Sequence, residues 1–325
     1  MQPCVTAIIV THSPNCRKKS AMLITSNKSK LTSPLPVAEL MLIGVAFFWG
    51  TSYGLTKEVL VYTSVLGFLA IRFLITFAVL IPTFISDFRN GLTKDWGVSI
   101  PTGLILLSIF IAETYGVANT TASNAAFLIS LCVVITPFIE WLVYKKHPGK
   151  SIFWLSLTCL LGVFLLTLND SKSISFNQGD FYILIAALLR ACMVVATKKL
   201  MFEKQLSSIS LTMLQSGVVG FGALFILLLT SENQIPSIPT EPSFWLITLY
   251  LVLFCTIFAF FAQNYGVRKT SPSKVSLLMG SEPAFGAAFA VIWLGENLSW
   301  YQYLGGGLIV IATLLVATRK DPQTN

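Results

Sequence analysis

The sequence predicts an all-α integral membrane protein with ten transmembrane helices, arranged as two inverted five-helix repeats. Three observations predict it: a composition too apolar for a water-facing surface, apolar stretches of membrane-spanning length, and basic residues gathered in alternate connections. Of 325 residues, 54% are hydrophobic and only 11% are charged, with a mean hydropathy of +0.76. A soluble domain carries about 25% charged residues, because it needs a hydrated surface. Lipid accepts the apolar residues directly, so the bilayer is an expected partner.

Residues 1–36 form a basic N-terminal tail holding Arg17, Lys18, Lys19, Lys28 and Lys30, with no acid before Glu39. It is expected to be disordered. Val5–Val10 is too short for a signal-peptide core, and Met22 is an alternative start. Beyond Pro36 come apolar stretches at 37–57, 63–86, 97–118, 122–144, 151–169, 180–200, 208–230, 243–266, 273–294 and 300–318. Each is near the roughly 20 residues a helix needs to cross the hydrocarbon core. No ten-residue alternation of a barrel strand interrupts them. Turn and charge signals separate them, as at Asp87-Phe88-Arg89-Asn90-Gly91 and Lys145-Lys146-His147-Pro148-Gly149.

Basic residues mark cytoplasmic connections. With the N-terminus inside, the inside connections hold Arg89 and Lys94, then Lys145, Lys146 and Lys150, then Lys198, Lys199 and Lys204, then Arg268, Lys269 and Lys274. The outside connections hold only Lys57 and Lys172. Both termini are therefore expected in the cytosol, with 319–325 as a short C-terminal tail, in a cell membrane of the bacterial inner-membrane kind. Placement of the basic residues also accounts for the net charge of +8, so no nucleic-acid partner is expected.

The segment from Tyr115-Gly116-Val117 to Ser123 resembles the one from Tyr265-Gly266-Val267 to Ser273, at an offset of 150 residues. Both join the third helix of a group of five to the fourth. The first and sixth stretches also match, each ending in a basic residue. Five crossings per repeat give the two repeats, 37–169 and 180–318, opposite orientations. Inverted repeats are a frequent plan of transporters, with the substrate site at mid-depth between them.

Ionisable groups within apolar stretches are costly and call for a reason. Arg72, Glu113, Glu140, Arg190 and Glu282 are such groups. Glu282 precedes Pro283, whose missing N–H frees a carbonyl near a carboxyl group, an arrangement suited to a cation, a proton or an amine. Arg72 and Arg190 suit either a solute carboxylate or phosphate or a fixed pair with Glu113 or Glu282. Glu113 and Glu140 read as reaching toward the membrane interfaces. Trp49 and Tyr53 flank Gly50-Thr51-Ser52, small residues that permit close packing or a bend, and can line a cavity. Gln263, Asn264 and Tyr265 close the eighth stretch and can hydrogen-bond a solute or each other. Pro137 and Pro283 are expected helix kinks, and Gly305-Gly306-Gly307 a close helix contact.

Other chemistries find no residues. The six cysteines show no CxxC or metal-ligand spacing, and neither histidine lies in an apolar stretch. No catalytic group, metal or cofactor is expected. Without a GxxxxGK[ST] motif, ATP-driven pumping has no support.

Phe48-Trp49-Gly50, the junction ending Tyr115-Gly116, the Pro137 segment, and above all Glu282-Pro283 followed by Leu294-Gly295-Glu296 and Tyr303-Leu304-Gly305 carry a family resemblance. Over 37–320 the chain resembles EamA-type permeases of the drug/metabolite transporter superfamily. The resemblance implies a ten-helix inverted-repeat fold and movement of small metabolites, often export of amino acids or related compounds. Two features depart from it: Lys145-Lys146-His147 ends the fourth helix, and Cys132, not an acid, aligns with Glu282. The expected function is secondary transport by alternating access, with a small-molecule solute as partner and, as a sub-hypothesis, proton coupling at Glu282. Two alternatives stand beside it: a non-transporting membrane receptor or assembly partner, and an intramembrane enzyme. Oligomeric state is open, a homodimer included.

Overall fold

Peptide groups inside an apolar stretch find partners only within their own segment, so such stretches fold as helices. The computed structural model describes residues 37–147, 149–168, 177–230, 238–294 and 298–319. The basic tail, Lys172, Gly295-Glu296 and the C-terminal residues from 320 onward lie outside the described residues.

Helices occupy every apolar stretch. In chain order they are α1 (Val37–Gly50), α2 (Ser52–Val59), α3 (Val65–Arg89), α4 (Ser99–Asn119), α5 (Ala122–Ser130), α6 (Cys132–Tyr144) and α7 (Lys150–Thr167). Then come α8 (Gln178–Leu200), α9 (Ser208–Thr230), α10 (Pro242–Val252), a π-helical turn at Leu253–Phe258, α11 (Ala259–Lys269), α12 (Pro272–Met279), α13 (Glu282–Leu294) and α14 (Trp300–Ala317). Among the described residues eight helical spans are long and apolar enough to cross a membrane, and α1 with α2, bent by 41°, makes a ninth. The stretch 273–294 is divided between α12 and α13. The protein is thus an all-helical, multi-pass membrane protein. Ile292 and Trp300 stand 82% and 76% exposed, as lipid-facing side chains do.

The breaks have local causes. At the α1–α2 bend the Thr51 hydroxyl donates to Phe48 O and the Ser52 hydroxyl to Trp49 O, each at 2.8 Å, drawing carbonyls away from the regular ladder. Gly50 is required there: a Cβ would stand 2.7 Å from Glu282 O and 2.8 Å from Gly286 N. The α5–α6 break falls at Leu131, ahead of Pro137, which lies inside α6. The α12–α13 break at Gly280-Ser281 comes before Pro283, which sits in the first turn of α13. Its missing N–H costs nothing there.

Helices pair across the bundle in a recurring way: α3 on α9, α7 on α14, α4 on α8, and α1 on α11. Both α5 and α6 pack on α8, while α12 and α13 pack on α1. The α7–α14 contact is backbone to backbone, because a Cβ on Gly162 would come within 2.7 Å of Gly305 O. Of the three adjacent glycines only Gly305 makes this approach; Gly307 has open space around it.

End contacts recur too. Lys57 Nζ donates to Thr120 O at 3.1 Å, and Lys198 Nζ donates to Thr270 O at 3.2 Å. Asp180, at the start of α8, accepts from the Thr120 hydroxyl at 2.5 Å and from Asn124 Nδ2 at 3.5 Å. Glu39, at the start of α1, accepts from Lys274 Nζ at 2.7 Å.

Candidate functional site

Close packing of α1 on α13 at Gly50 brings the α1–α2 bend, with Trp49 and Tyr53, against Glu282. Arg190 of α8 reaches the same place. Its Nη2 and Nε bond the two oxygens of Glu113 on α4 at 2.9 and 3.1 Å, a forked arrangement. Its Nη1 lies 3.5 Å from Glu282 Oε2. The guanidinium also stacks over the Trp49 ring, 4.6 Å from its centroid, a cation–π contact. Helices α1, α4, α8 and α13 thus converge on one cation. All three ionic groups are mostly covered, with side-chain exposures of 14% for Arg190, 12% for Glu113 and 5% for Glu282.

The cluster is not closed. Tyr53 faces the Glu282 carboxyl and interacts with it, yet neither Tyr53 Oη nor Glu282 Oε1, both buried, makes a well-formed hydrogen bond among the described residues. One guanidinium faces two carboxylates, so the cluster carries a formal excess of one negative charge. A buried polar group left unpaired is costly, and a site that tolerates the cost is a candidate for a ligand.

Arg190 lines three adjoining pockets, each narrow. The first is an apolar slot between Trp49, Phe110, Phe260, Met193 and Met279. The second is polar, with Tyr53, Arg72, Glu113 and the hydroxyls of Ser52, Thr56 and Thr114. The third lies by Glu282, Cys132 and Ser276. Together they form a divided central cavity with aromatic, hydroxyl and charged walls, the usual mixture of a small-solute site.

The sequence candidates separate into two groups. Trp49, Tyr53, Arg72, Glu113, Arg190 and Glu282 line these cavities. Asn264 does other work: its Nδ2 donates to Thr212 Oγ1 at 3.0 Å and to Gln215 Oε1 at 2.9 Å, joining α11 to α9. Its neighbour Gln263 lines the apolar slot. Arg72 pairs with neither glutamate. Its Nε donates to Thr256 Oγ1 at 2.8 Å and its Nη2 to Cys255 O at 3.3 Å, both in the π-helical turn. That turn frees carbonyls from the α-helical ladder, and Trp49 Nε1 takes the same Cys255 O at 3.0 Å.

Two expectations are corrected. Glu113 does not reach for the membrane interface but binds Arg190. Glu140 is fully buried and accepts from the backbone N–H and the hydroxyl of Ser273, capping the start of α12. An N-terminal helix end offers free N–H groups that a carboxylate satisfies well, which explains an acid buried at that point. The lining residues Phe110, Phe260, Met193 and Met279 carry no signal in the sequence, since in an apolar helix a cavity wall and a lipid face have the same composition.

Known proteins place the chain among transporters. The model of the EamA-like transporter family matches it twice, over residues 36–168 and 177–318. An uncharacterized transporter of Archaeoglobus fulgidus is 28% identical, covering 87% of this chain and 86% of its own length. The uncharacterized transporter YcxC of Bacillus subtilis is 24% identical over 83% of this chain and 89% of its own. The uncharacterized inner membrane transporter YedA of Escherichia coli is 26% identical over 67% of this chain and 70% of its own. A solved crystal structure superposes with a TM-score of 0.71 at 17% identity, covering 86% of this chain and 96% of that one, a likeness of fold. With the family model matched over most of its length, this membrane protein belongs to the EamA-like transporter family.

Proposed function

We propose that the protein is a secondary transporter, working as an exporter of small organic metabolites such as amino acids or related compounds. It moves them by alternating access through the central cavity. The observation that carries this reading is the Arg190–Glu113–Glu282 cluster at the meeting point of three cavities, built from helices of both halves of the chain. Ten crossings in two inverted halves, 37–169 and 180–318, form the frame, with α12 and α13 together as the ninth crossing.

Several observations support that frame. The family model matches once in each half. The pairs α4–α8 and α1–α11 exchange under a swap of the halves, while α3–α9 and α7–α14 map onto themselves. The Lys57–Thr120 and Lys198–Thr270 contacts exchange in the same way. Trp49 and Arg190, which stack on each other, stand at matching depths of the first and sixth crossings. A pseudo-two-fold in the membrane plane relates such halves in many transporters. Alternate basic connections favour both termini in the cytosol, and the inner-membrane name of the Escherichia coli relative favours a bacterial inner membrane.

Proton coupling at Glu282 is part of the proposal, because the excess negative charge of the cluster favours uptake of one cation in each cycle. Proteoliposomes test it. Glu282→Gln is expected to remove the pH dependence of gradient-driven solute flux. A variant whose flux keeps the wild-type pH dependence takes Glu282 out of that role.

A further inference from the structure

We infer that Arg72 anchors the carboxylate of the transported solute, so that the cavity takes amphipathic monocarboxylates with an apolar side group. The inference rests on the transport reading above and deepens it. Arg72 is 4% exposed and belongs to none of the ion pairs among the described residues. Its guanidinium lies 5.9, 5.6 and 5.4 Å from the ring centroids of Phe68, Phe73 and Phe110. Its Nε and Nη2 hold the π-helical turn, while Nη1 makes no hydrogen bond among the described residues.

Holding that turn asks for donors, not for charge. Trp49 already donates to the same Cys255 carbonyl as a neutral group. Glu113, which lines the same cavity, has both oxygens on Arg190. Arg72 therefore has no directly bonded carboxylate among the described residues. It balances the excess charge of the Arg190 cluster only across the polar cavity, and with Glu282 protonated it is free to take a carboxylate of the solute. Thr56 and Thr114 add hydroxyls to the same wall. A carboxylate accepts from a free arginine N–H, here at Nη1, and from hydroxyls alike. The apolar slot between Phe110 and Phe260 adjoins this wall and suits the apolar remainder of the solute. Arg190 is the poorer anchor, since two carboxylates already occupy it.

The test compares isosteric acids and amides on the full chain in nanodiscs. The probes are phenylacetate against phenylacetamide, and phenylalanine against its amide. Wild-type protein is expected to bind each acid at least about tenfold more tightly than its amide, the gain from one charge-assisted contact. Arg72→Gln keeps amide donors for Thr256 and Cys255 and is expected to abolish the preference, while Arg72→Lys retains part of it. Equal binding of acid and amide by the wild type, no binding of either acid, or a preference that survives Arg72→Gln overturns the inference. Should Arg72→Gln not fold, the wild-type comparison decides alone. Flux in proteoliposomes separates the two readings. Transport without acid preference removes the Arg72 anchor only. Acid binding with no flux of any solute removes the transport reading and leaves the anchor.

Discussion

The bundle is closed twice by matching parts, and the two closures use different chemistry. At one end Asp180, at the start of α8, takes neutral donors from Thr120 and Asn124. At the other, Glu39 at the start of α1 takes the ammonium of Lys274. Asn124 and Lys274 stand 150 residues apart, the spacing of the two Tyr-Gly-Val segments. Lys274 Nζ also donates to Arg319 O at 2.8 Å, which ties α14 into the same knot. The helix ends thus meet at comparable places, while the contact itself differs. One end rests on a buried ion pair, the other on hydrogen bonds to a single carboxylate.

This difference sets the scale of each closure's response to substitution. Both members of the ion pair are about 5% exposed. Lys274→Met strands the Glu39 carboxylate, and removal of one partner of a buried pair costs about 3–5 kcal/mol. Thermal unfolding in detergent is expected to show a large loss. The double change Glu39→Gln with Lys274→Met is expected to recover most of it, because no charge is left stranded. A double variant as unstable as the single one would show that the pair acts through packing instead.

At the opposite end the expected effect is smaller. Asp180→Asn keeps one acceptor oxygen for the Thr120 hydroxyl but replaces the oxygen that accepts from the Asn177 N–H with a donor, so that half of the capping box is lost. Such a change costs about 1 kcal/mol. The same unfolding measurement checks it. Equal losses from Asp180→Asn and Lys274→Met would erase the contrast between the two ends.

How much of this was legible in the sequence depends on what each feature needs. The apolar stretches needed only local composition, and the helices fall within a few residues of the predicted limits. Glu113, Arg190 and Glu282 were visible because an ionisable residue in an apolar stretch is conspicuous. Their pairing was not, since it depends on how four helices rotate about their axes. A lipid-facing helix is apolar on the outside and on much of the inside, so periodicity gives little guide to rotation. The partners of Arg72 were hidden for another reason. They are the Thr256 hydroxyl and the Cys255 carbonyl of a π-helical turn, and nothing in Leu253–Phe258 distinguishes that turn from the α-helix around it. Asn264 and Glu140 were read as polar groups in search of solute or water, whereas Gln215 and the start of α12 were waiting for them.

The smallest effect is expected at an ion pair of the same kind as Glu39–Lys274 that lies in the open. Lys204 Nζ bonds Asp95 Oδ1 at 3.0 Å, with side-chain exposures of 43% and 30%. The backbone N–H of Gln205 bonds the other oxygen at 2.8 Å. The Gln205 N–H first, and Lys204 after it, hold the Asp95 carboxyl below the usual aspartate range. A depressed carboxyl contributes stability that is complete above the unfolded-state pKa and is lost as pH falls through the lower folded-state value. The connection that carries Asp95, between α3 and α4, is thus expected to loosen only in acid, below about pH 4. Limited proteolysis of this connection as a function of pH checks the expectation. Asp95→Asn should flatten the acid response while leaving overall unfolding unchanged, because water screens an exposed pair. An overall loss as large as that of Lys274→Met would mean that burial is not what separates the two lysines.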